Sequence, residues 1–337
     1  MFFWRNGLKI VIPDWKTVTG GDIDLSIFER FGEVTAYPLT PDDKLAERIA
    51  DADIVLCNKA IMNENTLRLA GHLKYIGLFA VGYNNIDTEY TDSRGITVCN
   101  AGTYSEDAVA QHTFALILDH FNNVSKYNEF VQAGGWVNSD RFSPFVYPLN
   151  ELAGKTIGIV GCGSIGGRVA KIADAFGMKV LACGRSPHPD EGGIVTWCDF
   201  ESLLAASDIV TVHCPLNADS YRMFDKAEFA KMKKGAYFIN TARGAIMDED
   251  ALAEAVESGH LGGAGIDVLE DEPMKSGCVL LNVEGITITP HVAWAPIETR
   301  LRLMDIVTDN IQNFLDGHPT HVVGSKKFYR GQALGKG

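Results

Sequence analysis

The stretch KTIGIVGCGSIGGRVAKIADAF, residues 155–176, decides the fold. Thr156–Val160 is a short, nearly continuous apolar run of the kind buried on both faces of a parallel sheet. Gly161-Cys162-Gly163-Ser164-Ile165-Gly166 breaks that run, after which Ile165, Val169, Ile172 and Phe176 recur at helical spacing up to Gly177. A glycine-rich turn between a strand and a helix directs backbone N–H groups and a helix N-terminus outward, an arrangement that can hold a pyrophosphate. G-x-G-x-x-G alone is a weak pattern, because glycine turns also serve merely to pack a helix on a strand. With a strand before it and a helix after it, the motif predicts dinucleotide binding through Gly161, Gly163, Ser164, Ile165 and Gly166.

Working outward, the runs MKVLACG (178–184), DIVTVH (208–213), AYFIN (236–240), GAGIDV (263–268) and ITIT (286–289) read as further buried strands. Helices between them open at Asp225 and at Asp248 and stop at Gly235 and Gly259. Six strands with crossover helices make a doubly wound α/β domain of the Rossmann type. The first hundred residues alternate LKIVI, EVTAY, DIVLC, LKYIGLF and ITVCN with polar helical segments, which predicts a smaller, flavodoxin-like doubly wound domain. SEDAVAQHTFALILDHF (105–121) reads as a helix with Ser105 as N-cap, apolar enough to suggest a hinge or a subunit interface. Residues 122–150 are irregular and aromatic and read as a long loop, or a helix followed by a loop, at an interface. After the sixth strand only one helix (about 297–316) and HVV (321–323) remain, too little to bury a core alone. The tail is therefore expected to return to the first domain: residues 1–103 plus 295–330 form a discontinuous domain, with residues 104–294 inserted.

A chain of 337 residues exceeds what one hydrophobic core usually supports. An apolar content of 46% and a charged content of 22% are those of an ordinary soluble domain protein. The net charge of −13 argues against a nucleic-acid or anionic-membrane partner, since either would need a basic face. Cys57, Cys99, Cys162, Cys183, Cys198, Cys214 and Cys278 are odd in number and scattered, without a C-x-x-C pair. They read as reduced small hydrophobes of a cytoplasmic protein, with no metal site among them. The opening MFFWRNGLKIVIPDW carries charges inside its apolar run and is not expected to be a signal peptide, and no stretch is long enough to span a membrane.

In an open α/β sheet, ligands bind beyond the carboxyl ends of the strands. There the sequence offers Gly184-Arg185-Ser186, His213-Cys214-Pro215, Thr241-Ala242-Arg243, Asp267 with Glu270 to Glu272 just beyond, and Thr289-Pro290-His291. An arginine, carboxylates and a histidine beside a nucleotide suit hydride transfer to a carbonyl that neighbours a carboxylate. A guanidinium fork such as that of Arg243 grips a carboxylate in fixed orientation. An imidazole such as that of His291 gives a proton to the carbonyl oxygen near neutral pH. A carboxylate must then hold the imidazole in one tautomer, for which Glu272 is the choice, with Glu270 and Asp271 as alternatives. Arg243 could instead cap a strand end. His72, His112, His120, His188, His260, His318 and His321 have no partner that the sequence names.

TIGIVGCGSIG, INTARG, GIDVLEDEP and ITPHVAW, in that order, resemble the D-isomer-specific 2-hydroxyacid dehydrogenase family. GYNNID (82–87) and SEDAVAQHTFALIL (105–118) extend the resemblance over nearly the whole chain, and NKAIMNE (58–64) with HVAW is closest to glycerate dehydrogenases, also called hydroxypyruvate reductases. The resemblance implies an NAD(P)-dependent enzyme that interconverts a small 2-keto acid and its D-2-hydroxy acid, such as hydroxypyruvate and D-glycerate or glyoxylate and glycolate. Matching positions imply catalytic roles for Arg243, Glu272 and His291, and a place for Asp267 at the nicotinamide end. Asn58, Lys59, Val81, Gly82, Arg243, His291 and Trp294 would line the substrate, with the discontinuous domain as the substrate-binding one. Gly184, Arg185, Ser186, His213, Cys214, Pro215, Thr241 and Ala242 would border the cofactor. Because Gly184-Arg185-Ser186 lacks the carboxylate that binds an NAD ribose, Arg185 and Ser186 favour NADP(H), unless Arg185 turns to solvent or stacks on the adenine. The apolar helix 105–121 and the aromatic loop 134–149, through which relatives pair, predict a homodimer. Rival readings are a phosphoglycerate or lactate dehydrogenase of the same family, and a nucleotide-sensing corepressor-like binding protein.

Overall fold

The structure is a computed structural model and describes residues 7–185 and 193–324. The chain divides into two compact units, one formed up to Tyr104 and again from Ile297 onward, the other by Ser105–Pro296.

In the first unit, β1 (Lys9–Ile12), β2 (Glu33–Ala36), β3 (Ile54–Cys57), β4 (Tyr75–Leu78) and β5 (Thr97–Cys99) alternate with α1 (Asp42–Ile49), α2 (Glu64–Leu67) and α3 (Thr88–Ser93) after β2, β3 and β4. The five strands are parallel in the order 2-1-3-4-5, the flavodoxin-like order. β3 and β4 are buried at every position, as their unbroken apolar sequences require, and α1 turns Leu45 and Ile49 into the same core as Val55 and Ile76.

The second unit runs α4 (Glu106–Asn122), α5 (Val124–Gln132), β6 (Thr156–Val160), α6 (Ser164–Ala175), β7 (Lys179–Cys183), β8 (Val195–Trp197), α7 (Phe200–Ala206), β9 (Ile209–Val212), α8 (Lys226–Lys231), β10 (Tyr237–Asn240), α9 (Glu249–Glu257), β11 (Gly263–Ile266) and β12 (Ile286–Ile288). Its strands form one parallel sheet in the order β12-β11-β10-β9-β6-β7-β8. The six strands expected from the sequence are all present. β8 adds a seventh, a three-residue edge strand paired only with β7. The winding direction reverses between β6 and β9, which is where such a sheet opens a crevice for a ligand. Alternate residues feed two cores: Ile157, Ile159, Ile209 and Ile239 pack on the side of Val169 and Ala173 of α6, whereas Val210, Val212 and Phe238 pack on the opposite side with Phe224, Phe229 and Leu252.

α4 differs from its sequence reading in two ways. Ser105 is its N-cap residue but makes no side-chain capping bond. Its apolar stripe is absorbed by its own unit, with Ala110, Phe114, Leu116, Ile117 and Phe121 joining Ile157 and Tyr237 in one core. The helix therefore needs no second chain to account for its apolarity. The tail lies in the first unit. After Pro296, α10 (Ile297–Leu315) packs against β4, and β13 (Val322–Val323) adds an antiparallel edge strand to β5. Arg300 clasps Asp22 through two 2.7 Å bonds, and the Asn310 side chain donates to the Asn100 carbonyl at 2.9 Å. Among the described residues no helix is long and apolar enough to cross a membrane.

Candidate active site

The site grows from the turn after β6. Gly161 takes φ +92°, and a Cβ there would lie 2.6 Å from the Cys214 backbone nitrogen, so the β6 turn can approach the end of β9 only as glycine. At Gly166 a Cβ would meet the Gly161 carbonyl oxygen at 2.4 Å, which holds α6 tightly against the turn. Gly163 faces open space instead. No side chain caps α6 and its first turn, Ser164 and Ile165 included, carries no acidic residue, so its positive end suits the pyrophosphate of a dinucleotide.

Around that turn stand the ends of β7, β9 and β10. Gly184 and Arg185 are exposed; Ser186 lies outside the described residues. Burial pushes the Cys214 thiol up, and the positive charge of Arg185 works against that shift, which puts the guanidinium within electrostatic reach of the β9 end. His213 Nε2 lies 2.9 Å from the Thr211 hydroxyl, while its buried Nδ1 has no hydrogen-bond partner among the described residues. Burial holds this imidazole neutral, with a pKa lowered to about 3. Pro215 is exposed beside it. After β10, Asn240 clamps the next turn, accepting from the Ala242 N–H at 3.0 Å and donating to the Arg243 carbonyl at 2.9 Å. Thr241 is buried, with its hydroxyl 3.4 Å from that of Thr113. A Cβ on Gly244 would lie 1.9 Å from the Leu269 carbonyl carbon, so the Arg243 turn runs against the segment that leads to Glu272.

Glu272 and His291 meet there. His291 Nδ1 stands 2.7 Å from Glu272 Oε2, and Glu272 Oε1 accepts the Leu269 N–H at 3.0 Å. The alternatives are engaged elsewhere: Glu270 pairs with Arg222 at 3.2 Å and Asp271 with Lys275. His291 has φ +54°, a left-handed conformation unusual for a residue with a side chain, so its turn must be held by other bonds. Asp267 supplies them. Its carbonyl accepts the His291 N–H at 2.8 Å, and its buried carboxylate accepts the N–H groups of Val292 and Ala293 at 2.9 Å each and the Thr289 hydroxyl at 2.5 Å. Trp294 follows, half-buried. His291 Nε2 has no hydrogen-bond partner among the described residues.

In the first unit, Asn58 and Lys59 follow β3 and Val81 and Gly82 follow β4, so all four lie past the carboxyl ends of the strands. Lys59 and Val81 are exposed, but Asn58 is buried with its amide nitrogen on the Thr17 carbonyl at 3.0 Å. Sequence reasoning passed over Asp14, whose carboxylate accepts the N–H groups of Asn58, Lys59 and Ala60 at 3.2, 2.6 and 2.9 Å. Burial raises the Asp14 pKa, and these N–H bonds oppose the rise. The signal for Asp14 was present as an acidic residue two positions past the end of β1, but its partners are 44 to 46 residues away.

The sequence profile of the D-isomer specific 2-hydroxyacid dehydrogenase NAD-binding domain matches residues 114–293. The chain is 38% identical over 320 residues to a hydroxypyruvate reductase from Blautia hydrogenotrophica, covering 94% of this chain and 99% of that protein. It is 39% identical over 286 residues to a glycerate dehydrogenase from Methylorubrum extorquens, covering 84% and 89%. Among solved structures it superposes with a TM-score of 0.81, at 26% identity and over 94% of this chain and 96% of the other, on an NADPH-dependent glyoxylate/hydroxypyruvate reductase from Sinorhizobium meliloti in complex with NADP and malonate. A glycine turn shaped for a dinucleotide, a histidine and carboxylate pair at the same sheet edge, and these likenesses over nearly its full length establish that the chain belongs to the D-isomer-specific 2-hydroxyacid dehydrogenase family of nicotinamide-dependent oxidoreductases.

Proposed function

We propose that this chain reduces hydroxypyruvate and glyoxylate to D-glycerate and glycolate, with the second unit holding the cofactor and the first supplying substrate contacts. The observation that carries the reading is the 2.7 Å bond between His291 Nδ1 and Glu272 Oε2, on the edge of the sheet that bears Arg243. The likeness to a hydroxypyruvate reductase and a glycerate dehydrogenase supports the choice of substrate. The bound nicotinamide supplies the hydride. Arg243 pairs with the substrate carboxylate. Glu272 keeps the proton on Nδ1, so Nε2–H is the proton given to the carbonyl oxygen. After that transfer His291 is neutral with Nδ1–H still bonded to Glu272. Lys59, the Val81-Gly82 backbone and Trp294 serve as substrate contacts, whereas the Asn58 amide shapes its loop through Thr17. The cofactor is NADPH in preference to NADH, the location is the cytoplasm, and the active form is a homodimer.

Steady-state rates on a panel of 2-keto acids test the reading. Hydroxypyruvate and glyoxylate should outrank pyruvate and phenylpyruvate, and His291→Asn should lower turnover by about 10²–10⁴-fold while cofactor affinity stays near normal. A preference for phenylpyruvate sinks the substrate assignment, and near-normal turnover of the variant sinks the role of His291.

A further inference from the structure

His112 lies in α4, 177 residues before Thr289, yet its Nε2 stands 2.9 Å from the Thr289 hydroxyl oxygen and 3.5 Å from Asp267 Oδ1. The Thr289 hydroxyl in turn lies 2.5 Å from the same Asp267 oxygen. A hydroxyl has one proton to donate. That proton goes to Asp267, whose carboxylate accepts from the Thr289 hydroxyl, so the hydroxyl can only accept from His112. Nε2 must therefore carry a hydrogen. The bonds run in one direction, from His112 Nε2–H to the Thr289 oxygen and from the Thr289 hydroxyl to Asp267, and successive bonds of this kind reinforce one another. Asp267 is also the group that suspends the turn on which His291 adopts φ +54°.

We propose that His112 is a positioning residue for His291: its Nε2–H commits the Thr289 hydroxyl to Asp267 and so fixes the turn that aims the His291 imidazole. The proposal rests on the reading of His291 as the proton donor. α4 is anchored in the core of its unit by Phe114 and Ile117, so it offers a rigid base from which to brace a turn at the end of β12. His112 needs no contact with substrate or cofactor to do this.

Two measurements test it. The first does not use activity: in wild-type protein carrying nitrogen-labelled histidine, long-range nitrogen–proton correlations report which ring nitrogen of His112 is protonated, with the signal assigned by its loss in His112→Gln. A hydrogen on Nε2 is the expected result, and a bare Nε2 overturns the proposal. The second is kinetic. His112→Leu, which keeps bulk without a donor, should lower kcat with hydroxypyruvate roughly ten- to a hundredfold, while KM and the NADPH dissociation constant change by less than about threefold. His112→Gln, whose amide can donate from a similar reach, should recover most of that loss. Thr289→Val combined with His112→Leu should be no worse than the more damaging single change, because both break one chain of bonds. Unchanged kcat in His112→Leu, or a Gln variant as poor as the Leu variant, overturns the proposal. Failure of the wild-type protein to reduce hydroxypyruvate would instead count against the functional reading, and the tautomer measurement would still decide the role of His112.

Discussion

At the end of β7 the chain runs Cys183-Gly184-Arg185, where an NAD-specific site of this fold places a carboxylate to bond the ribose 2′-hydroxyl. Nothing in those three residues repels a 2′-phosphate, and the charge of Arg185 is felt at Cys214, on the neighbouring side of the crevice. Arg185→Ala should therefore lower the ratio of kcat/KM for NADPH over NADH, by roughly tenfold, since a charge-assisted bond at an exposed site falls at the weak end of its range. An unchanged ratio, or a wild-type preference for NADH, would show that Arg185 does not read the phosphate. Residue types at strand ends were legible without coordinates; for the acid beside His291 the sequence reading chose Glu272, but spacing alone left two alternatives. Glu270, Asp271 and Glu272 are equivalent by spacing, and the choice depends on Arg222 and Lys275 engaging the other two. His112 and Asp14 were illegible for a related reason, because the bonds that define them join segments far apart in the chain.

Among the elements, α4 carries a titration that the fold works against. His120 stacks on Tyr237 of β10 with ring centroids 4.1 Å apart, and burial lowers its pKa to about 4 from an ordinary 6.5. The unfolded chain thus binds this proton first as pH falls, so the native state loses stability from about pH 6.5 down to about 4 and changes little below that on this account. The loss attributable to His120 is at most about 3 kcal/mol. Urea midpoints at neutral pH and near pH 4 for the wild type and His120→Phe, which keeps the stack without the charge, should show a shallower pH dependence in the variant. Equal dependence would place the effect elsewhere, for instance at His213, which is depressed in the same sense. Element reading from sequence worked where a nearly continuous apolar run, or apolar residues at helical spacing, met a glycine stop, as in β6 and α6. It missed β8, the three-residue strand that pairs only with β7.

On the scale of the whole molecule, the argument for association falls to α5 and the loop after it, now that α4 is satisfied within its own unit. α5 has no buried residue, and Val137 and Phe142 are 88% and 92% exposed. Phe145, Trp136 and Val124 are exposed as well, and burying such side chains against a second copy would favour association. Light scattering at micromolar concentration should give twice the chain mass, and a monomer mass would refute the dimer.

The interruption of the first unit by the second has a consequence for the order in which the protein can be made. All the strands of the inserted unit are contiguous in the chain, so it has everything it needs once Pro296 has left the ribosome. The first unit does not: its five parallel strands are synthesised earliest, but the helix that covers β4 and the strand that closes the β5 edge come last. Until then β5 presents an unpaired edge of the kind that invites pairing with other chains. The portion of this protein that is translated first is thus the portion completed last, and its exposure to misassembly lasts as long as translation of the inserted unit.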